Sequence, residues 1–406
     1  MRRWLSLTLV LVTAASARGA DLARPPGAVR FATFNASLNR DKAGRLVADL
    51  STPDNVQARN VAEVIQRVRP DVLLVNEFDY DEKGRAAELF QTNYLSVGQQ
   101  GAEPIRFPHR YSAPVNTGVA SGQDLDRDGT ASSEPGSRGY GNDAYGFGLF
   151  PGQYGMVIYS TYLIDAADVR SFQSLLWNDM PGALLPKAKG GESWYSPAAL
   201  AVFRLSSKSH WDVPVRVGGK VVHVLASHPT PPAFDGPEDR NGRRNHDEIR
   251  LWADYLTGGT AAEYLRKGLP AGTPVDPPST FVAMGDQNAD PADGGSVPGA
   301  IQQLLNHPRI NSRLAPVSDG AAAASAVQKG ANASHKGDPA LDTADFADGA
   351  VGNLRVDYVL PSADLTVVGT GVFWPAAADP LARLVAMVPA VATSDHRLVY
   401  LDVRLP

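Results

Sequence analysis

Residues 70–77 read Pro-Asp-Val-Leu-Leu-Val-Asn-Glu (PDVLLVNE), and this stretch decides the fold class. Pro70 ends the helix before it, because a proline inside a helix removes a hydrogen bond and clashes with the preceding turn. Asp71–Val75 is then apolar without alternation from Val72 on, the mark of a strand covered on both faces. Such a strand belongs in the interior of a sheet, and it delivers Asn76 and Glu77 at its end. Just upstream, Val61, Val64, Ile65 and Val68 fall at i, i+3, i+4 and i+7, one apolar face of a helix over 55–69. Asp54 is expected to cap it, with Gln57 reaching back as a capping box.

Working outward, strands are expected at Val29–Phe34, Tyr154–Tyr159, Ala199–Leu205, Thr280–Met284, Leu354–Leu360, Leu365–Val372 and Val399–Val403. Val213–Val217 and Lys220–Ala226 flank Gly218-Gly219 and read as a hairpin. A second helix is expected over Asn245–Leu256, opened by an Asn245/Glu248 capping box and buried along Ile249, Trp252, Ala253 and Leu256. Residues 99–152 lack periodicity and read as a long surface loop, a length that is usually functional or held by a metal. The Ala-, Gly- and Asp-rich stretch 320–349 is expected to be mobile. Strands dominate and helices fill the connections. That implies an α/β sandwich of two packed sheets with helices outside, one domain over 25–406.

The chain has 406 residues, 43% apolar and 20% charged, and no cysteine. Disulfides are excluded, and a chain of this size can rely on core burial instead. Arg2-Arg3, the apolar run Trp4–Val12 and Ala15-Ser16-Ala17 form a leader expected to be cleaved after Ala17, leaving a secreted or periplasmic protein. No later stretch has the apolar length of a membrane span. The formal charge is −5, and loss of Arg2 and Arg3 makes it more acidic. That disfavours nonspecific nucleic-acid binding by charge alone.

Polar clusters follow, or sit within, the apolar strands. Asn35 follows the first, and Asn76-Glu77 follows DVLLV. A carboxylate such as Glu77 at a strand's mouth suits Mg²⁺, which takes one or two carboxylates and keeps several waters. Ser227-His228-Pro229 follows VVHVLA, where His228 could donate a proton or hold a phosphate oxygen. Just beyond, Arg240, Arg243 and Arg244 precede the second helix, where an anion would relieve their conflict with its dipole. Gly285-Asp286-Gln287-Asn288 follows TFVAM. Asp286 and Asn288 alternate as strand positions do, so they are expected to point the same way. Asp357 lies within a late strand and needs a partner, which His396 of Ser394-Asp395-His396 can be. A carboxylate on one imidazole nitrogen fixes the tautomer and leaves the other nitrogen to take a proton. Asp395 is placed for a metal.

Together FATFNAS, DVLLVNEFD, LASHP, GDQNADP, RVDYVL and TSDHRLV, in this order, resemble the endonuclease/exonuclease/phosphatase superfamily of deoxyribonuclease-like fold. The resemblance runs from about Val29 to Val403. It implies a four-layered α/β sandwich of two packed, mainly antiparallel sheets flanked by helices, with a metal site at one edge. It implies metal ligation by Asn35 and Glu77, water and phosphate orientation by Asp286 and Asn288, and a His396–Asp357 pair as base or phosphate ligand. His228 matches the second histidine of the deoxyribonuclease-like and phosphatase branches. Where the family often has Phe after Gly-Asp, this chain has Gln287. The resemblance implies a phosphoesterase that works with Mg²⁺, or with Mn²⁺ or Ca²⁺.

Three further expectations complete the reading. Asp124-x-Asp126-x-Asp128-Gly129 opens like a calcium loop, although Pro135 stands where an EF-hand carries Glu; a structural Ca²⁺ is the functional expectation and a solvated acidic loop the bland one. Lys208 and His210 could touch substrate phosphate, as could Arg243 and Arg244. The enzyme is expected to act as a monomer on a phosphate ester. The alternative from another class is a catalytically silent sandwich that binds a surface partner. No basic stripe with interleaved aromatics speaks for nucleic acid, and no exposed apolar hairpin is evident that would speak for lipid.

Overall fold

A computed structural model describes residues 22–386 and 393–406. The leader expected at 1–17 lies outside the described residues. Among the described residues there are fourteen strands: β1 Val29–Leu38, β2 Val72–Phe78, β3 His109–Tyr111, β4 Met156–Ser160, β5 Leu163–Ile164, β6 Arg170–Ser171, β7 His210–Val217, β8 Lys220–Ser227, β9 Phe281–Asp286, β10 Ala344–Asp345, β11 Asn353–Leu354, β12 Asp357–Pro361, β13 Thr366–Val372 and β14 Val399–Arg404. One sheet runs β13-β14-β1-β2-β4-β3 and the other β12-β9-β8-β7-β5, with β6 against β7. Each is antiparallel except for one parallel pair, β1/β2 in the first and β8/β9 in the second.

The DVLLV reading explains the layering. Val72 and Leu74 point between the sheets, where they meet Trp211, Val213, Val224, Val282 and Met284. Leu73 and Val75 point the other way, into a core shared with Val61, Val64, Ile65 and Val68 of the Val56–Val68 helix. The second sheet repeats the pattern. Leu225, Phe281 and Ala283 face outward onto Ile249, Trp252 and Leu256 of the Arg240–Thr257 helix. The result is helices, sheet, sheet, helices, the four-layered α/β sandwich. A buried pair ties the first strand to the last: the Arg30 guanidinium donates to both carboxylate oxygens of Asp402 at 2.7 Å each, beside the antiparallel β1/β14 ladder.

Several local expectations fail for identifiable reasons. Asn55, not Asp54, caps the first helix, accepting from Ala58 N at 2.9 Å. Gln57 leaves the capping role and donates to Ser37 O and Thr393 O at 2.8 and 3.0 Å. Residues 199–205 are not a strand: Ser196 and Pro197 start a single helical turn, Pro197–Leu200. The second helix begins at Arg240, so Asn245 and Glu248 lie inside it, fully buried, rather than at its start. A helix not anticipated from the sequence, Asp319–Gln328, capped by Ser318, overlaps the stretch 320–349. The 354–360 strand is broken after Leu354, giving β11 and β12.

Gly285 shows how tightly the strand ends are packed. Its φ is 144°, and a Cβ there would lie 1.9 Å from Ser227 O on the neighbouring strand. Gly285→Ala is therefore expected to cost about 3 kcal/mol through backbone strain and overpacking. The check is the urea unfolding midpoint at unchanged slope; a cost under about 1 kcal/mol would mean that the strands separate easily here.

Candidate active site

The site lies where the two sheets end together. The parallel register sets Asn35 beside Asn76, and the β9/β12 ladder sets Asp286 opposite Asp357. Neighbouring strands thus bring four polar side chains to one edge. Asn35 Nδ2 donates to Glu77 Oε1 at 3.1 Å and to Asp286 Oδ2 at 3.0 Å. The same Asp286 oxygen lies 3.3 Å from His228 Nε2 and 3.7 Å from His396 Nε2. An amide and two imidazoles therefore converge on one buried carboxylate oxygen. Asp286 N is anchored by Asn76 Oδ1 at 3.3 Å.

His396 is oriented from behind. Its Nδ1 pairs with Asp357 Oδ2 at 2.9 Å, and Thr343 Oγ1 donates to that oxygen at 2.8 Å. Burial disfavours the charged imidazole, but Asp357 and Asp286 outweigh it and hold His396 well above its ordinary pKa. Burial likewise opposes ionisation of Asp286, yet His396, His228 and Asn35 hold its carboxyl below the usual range. His228 Nδ1 and Asp357 Oδ1 are buried without a hydrogen-bond partner. Both lie within the same constellation.

The backbone is strained around these groups. Ser37, Glu77, Tyr154 and Asn288 all have positive φ, conformations that cluster at functional sites because the surroundings must enforce them. Asn288 does not continue the strand, as the alternation of Asp286 and Asn288 suggested. It turns left-handed, its N donates to Asp286 Oδ1 at 2.8 Å, and its Nδ2 donates to Pro229 O at 3.1 Å. Both side chains still line the same cleft, of about 620 Å³, with Glu77, Lys208, His228, Asp395 and His396. Asp395 Oδ1 accepts from Ser37 Oγ at 3.2 Å.

The remaining sequence candidates divide. Lys208 is buried at the cleft, where burial pulls its ammonium below the ordinary value and Glu248, Glu77 and Asp286 oppose that. His210 is not in the cleft. It sits fully buried in β7, bonded to Ser206 Oγ and to Glu248 O, and Trp211 packs between the sheets. Arg244 lines the cleft, but its guanidinium is taken by the carbonyls of Leu205, Arg204 and Tyr145. Arg243 turns to Glu238 O at 3.2 Å. An anion between these arginines is thus replaced by carbonyl groups of the chain itself. Asp124, Asp126 and Asp128 offer carboxylate oxygens within 4.8 Å of one another, occupied here by loop amides such as Gly129 N at 3.0 Å.

Sequence reasoning missed the residues that hold these loops. Glu248 accepts from Ser207 N and Thr230 N, both at 2.6 Å, joining the segments that carry Lys208 and His228. Asn245 Nδ2 donates to Thr230 O and Gln287 O at 2.8 and 2.9 Å. Asp79 accepts from Arg40 N and Tyr154 N at 2.8 and 3.2 Å, and burial pushes its carboxyl up to about 7. The available signal was polar residues on the buried stripe of a helix, Asn245 and Glu248 beside Ile249 and Trp252.

Residues 32–396, a span that reaches from the first of these strand ends to His396, match the profile of the Endonuclease/Exonuclease/phosphatase family. The chain belongs to that family. Members of the endonuclease/exonuclease/phosphatase family are generally phosphoester-hydrolysing enzymes that use divalent metals. Among curated proteins none matches the chain. Among solved structures, it is similar to an endonuclease/exonuclease/phosphatase from Beutenbergia cavernae, at 19% identity and TM-score 0.48 over 94% of this chain and 72% of that one. It is also similar to sphingomyelinase C from Streptomyces griseocarneus, at 14% identity and TM-score 0.44 over 92% and 99%. Truncated TDP2 from Caenorhabditis elegans is similar at 14% identity and TM-score 0.40 over 93% and 97%.

Proposed function

We propose that the chain is an exported, divalent-metal-dependent phosphoesterase acting as a monomer by in-line attack of an activated water on phosphorus. The observation that carries this reading is the convergence of Asn35, His228 and His396 on one oxygen of Asp286, in a cleft shared with Glu77 and Asp395. Among the described residues no helix is long and apolar enough to cross a membrane.

The donor set fits a hard cation. Glu77, Asp286 and Asp395 supply carboxylate oxygens, the ligand type that suits Mg²⁺, and Asn35 would add its amide oxygen by turning from its present pose, in which Nδ2 faces the carboxylates and Oδ1 accepts from Ser37 N at 3.2 Å. The ligand atoms of Asp286, Asp357 and His396 also lie within 4.8 Å of one another. Glu77 would be the principal ligand, with Asn35 and Asp395 beside it. When bound, the cation supplies Lewis acidity and charge neutralisation at the phosphoryl oxygens.

The chain's own groups do the rest. Asp286 and Asn288 orient the attacking water. His396, fixed by Asp357, holds a phosphoryl oxygen while it is protonated, the form the two carboxylates favour, and takes the water's proton only from its neutral form. His228 and Lys208 face the phosphate, and His228 can return a proton to the leaving oxygen. The water oxygen bonds to phosphorus, the ester P–O bond breaks, and the water's proton ends on the departing alcohol.

The expected result is hydrolysis of bis- or mono-p-nitrophenyl phosphate with Mg²⁺, Mn²⁺ or Ca²⁺, abolished by EDTA and restored by excess metal. No turnover with any of the three ions, or turnover indifferent to EDTA, would remove the reading.

A further inference from the structure

Of the large hydrophobic side chains exposed to solvent among the described residues, two are aromatic: Phe147, 47% exposed, and Phe234, 81% exposed. Both line the cleft that holds Glu77, Asp286 and His396. Their placement is constrained. Phe234 has a φ of 65°, a genuine outlier for a bulky side chain. The loop that imposes it is tied down on both sides: Asn241 Nδ2 donates to Ala233 O at 2.6 Å, and Asn241 N to Asp235 Oδ2 at 2.7 Å. Phe147 lies in the 99–152 stretch, which holds β3 and a helix, Arg138–Asn142, and is not loop throughout as expected, and its ring lies so close to Gly141 that a Cβ there would sit 2.8 Å from Cε2. The same cleft is lined by Tyr195 and Phe203, whose rings are 4.9 Å apart.

An exposed phenyl ring held in a strained backbone conformation is costly twice, through lost burial and through strain. We propose that the aromatic lining of this cleft is a subsite for the organic part of the phosphate ester, and that it selects alcohols carrying a planar ring. The proposal rests on the phosphoesterase reading. Aromatic faces favour a stacked or edge-on ring over a flexible chain, and a cleft of about 620 Å³ suits one small organic group. A membrane surface is the poorer occupant. Phe234 is followed by Asp235, Glu238 and Asp239, and the arginines beyond them are engaged, Arg240 with Glu238 and Arg243 and Arg244 with backbone carbonyls, whereas interfacial segments carry free lysine and arginine beside their aromatics. Arg138, exposed in the same cleft, suits the polar edge of a ring.

The test compares the methyl phosphate diesters of 2-phenylethanol and n-hexanol, alcohols of similar acidity, with the released alcohol quantified. The wild-type chain should prefer the phenylethyl ester in kcat/KM. Phe234→Ala should lower kcat/KM for that ester about 3- to 10-fold more than for the hexyl ester, chiefly through KM, and Phe234→Tyr should restore the preference. Equal losses on both esters would overturn the subsite while leaving the phosphoesterase standing. Loss of sedimentation with phosphatidylcholine vesicles on Phe234→Ala would overturn it in favour of a membrane contact. Failure of the wild-type chain to hydrolyse either ester or the nitrophenyl phosphates would instead refute the enzyme reading, and the subsite with it.

Discussion

Asp286→Asn is expected to lower kcat for bis-p-nitrophenyl phosphate by about 10³-fold. The carboxylate oxygen lost is the one on which Asn35 Nδ2, His228 Nε2 and His396 Nε2 converge at 3.0, 3.3 and 3.7 Å. An amide in its place either turns an NH₂ toward three groups that need an acceptor or offers them an uncharged oxygen. The two imidazoles would lose the charge that favours their protonation, and the attacking water would lose its orienting group. The substitution is nearly isosteric, so circular dichroism and the unfolding midpoint separate misfolding from lost chemistry. Activity within about threefold of wild type would place the reaction elsewhere.

His396→Ala should cost about 10²- to 10⁴-fold in kcat, the range for a positioned acid or base. Asp357→Asn should cost nearly as much, because Asp357 Oδ2 is the group that fixes His396 Nδ1 at 2.9 Å. The two residues act as one unit, so the double variant should be scarcely worse than His396→Ala alone. Thr343 also donates to Asp357 Oδ2 and keeps that carboxylate aligned, which makes the Asp357→Asn protein a fair comparison. Multiplying losses in the double variant would show that the histidine and aspartate serve separate steps, and full activity in His396→Ala would discard the assigned site.

The layers were legible because they depend on short-range pattern. Val72 and Leu74 inward, Leu73 and Val75 outward, is the geometry of a pleated strand with cover on both faces, and the i, i+3, i+4, i+7 spacing of Val61–Val68 supplies that cover. The polar strand ends were legible as a set for the same reason: each follows an apolar run. What escaped depends on contacts between distant segments. The start of the second helix at Arg240 hides behind polar residues whose partners, Ser207, Thr230 and Gln287, belong to other loops. Alternation misled at Asn288, since a left-handed residue after the strand reaches the same cleft by a different route. Arg244 looked available to a phosphate only because its carbonyl partners lie about 40 and 100 residues away in sequence. Nor does any sequence pattern show that Phe234 stays exposed, for isolated aromatics are usually buried.

The ladder that seats β14 beside β1, with Arg30 clamped on Asp402, joins β13 and β14 to the rest of the first sheet. Asp395 and His396 immediately precede that strand, while Asn35 sits in the opening one. Pairing between strands hundreds of residues apart in sequence therefore sets the spacing of these groups, and a change at the buried Arg30–Asp402 clamp would be felt at the strand ends that carry them.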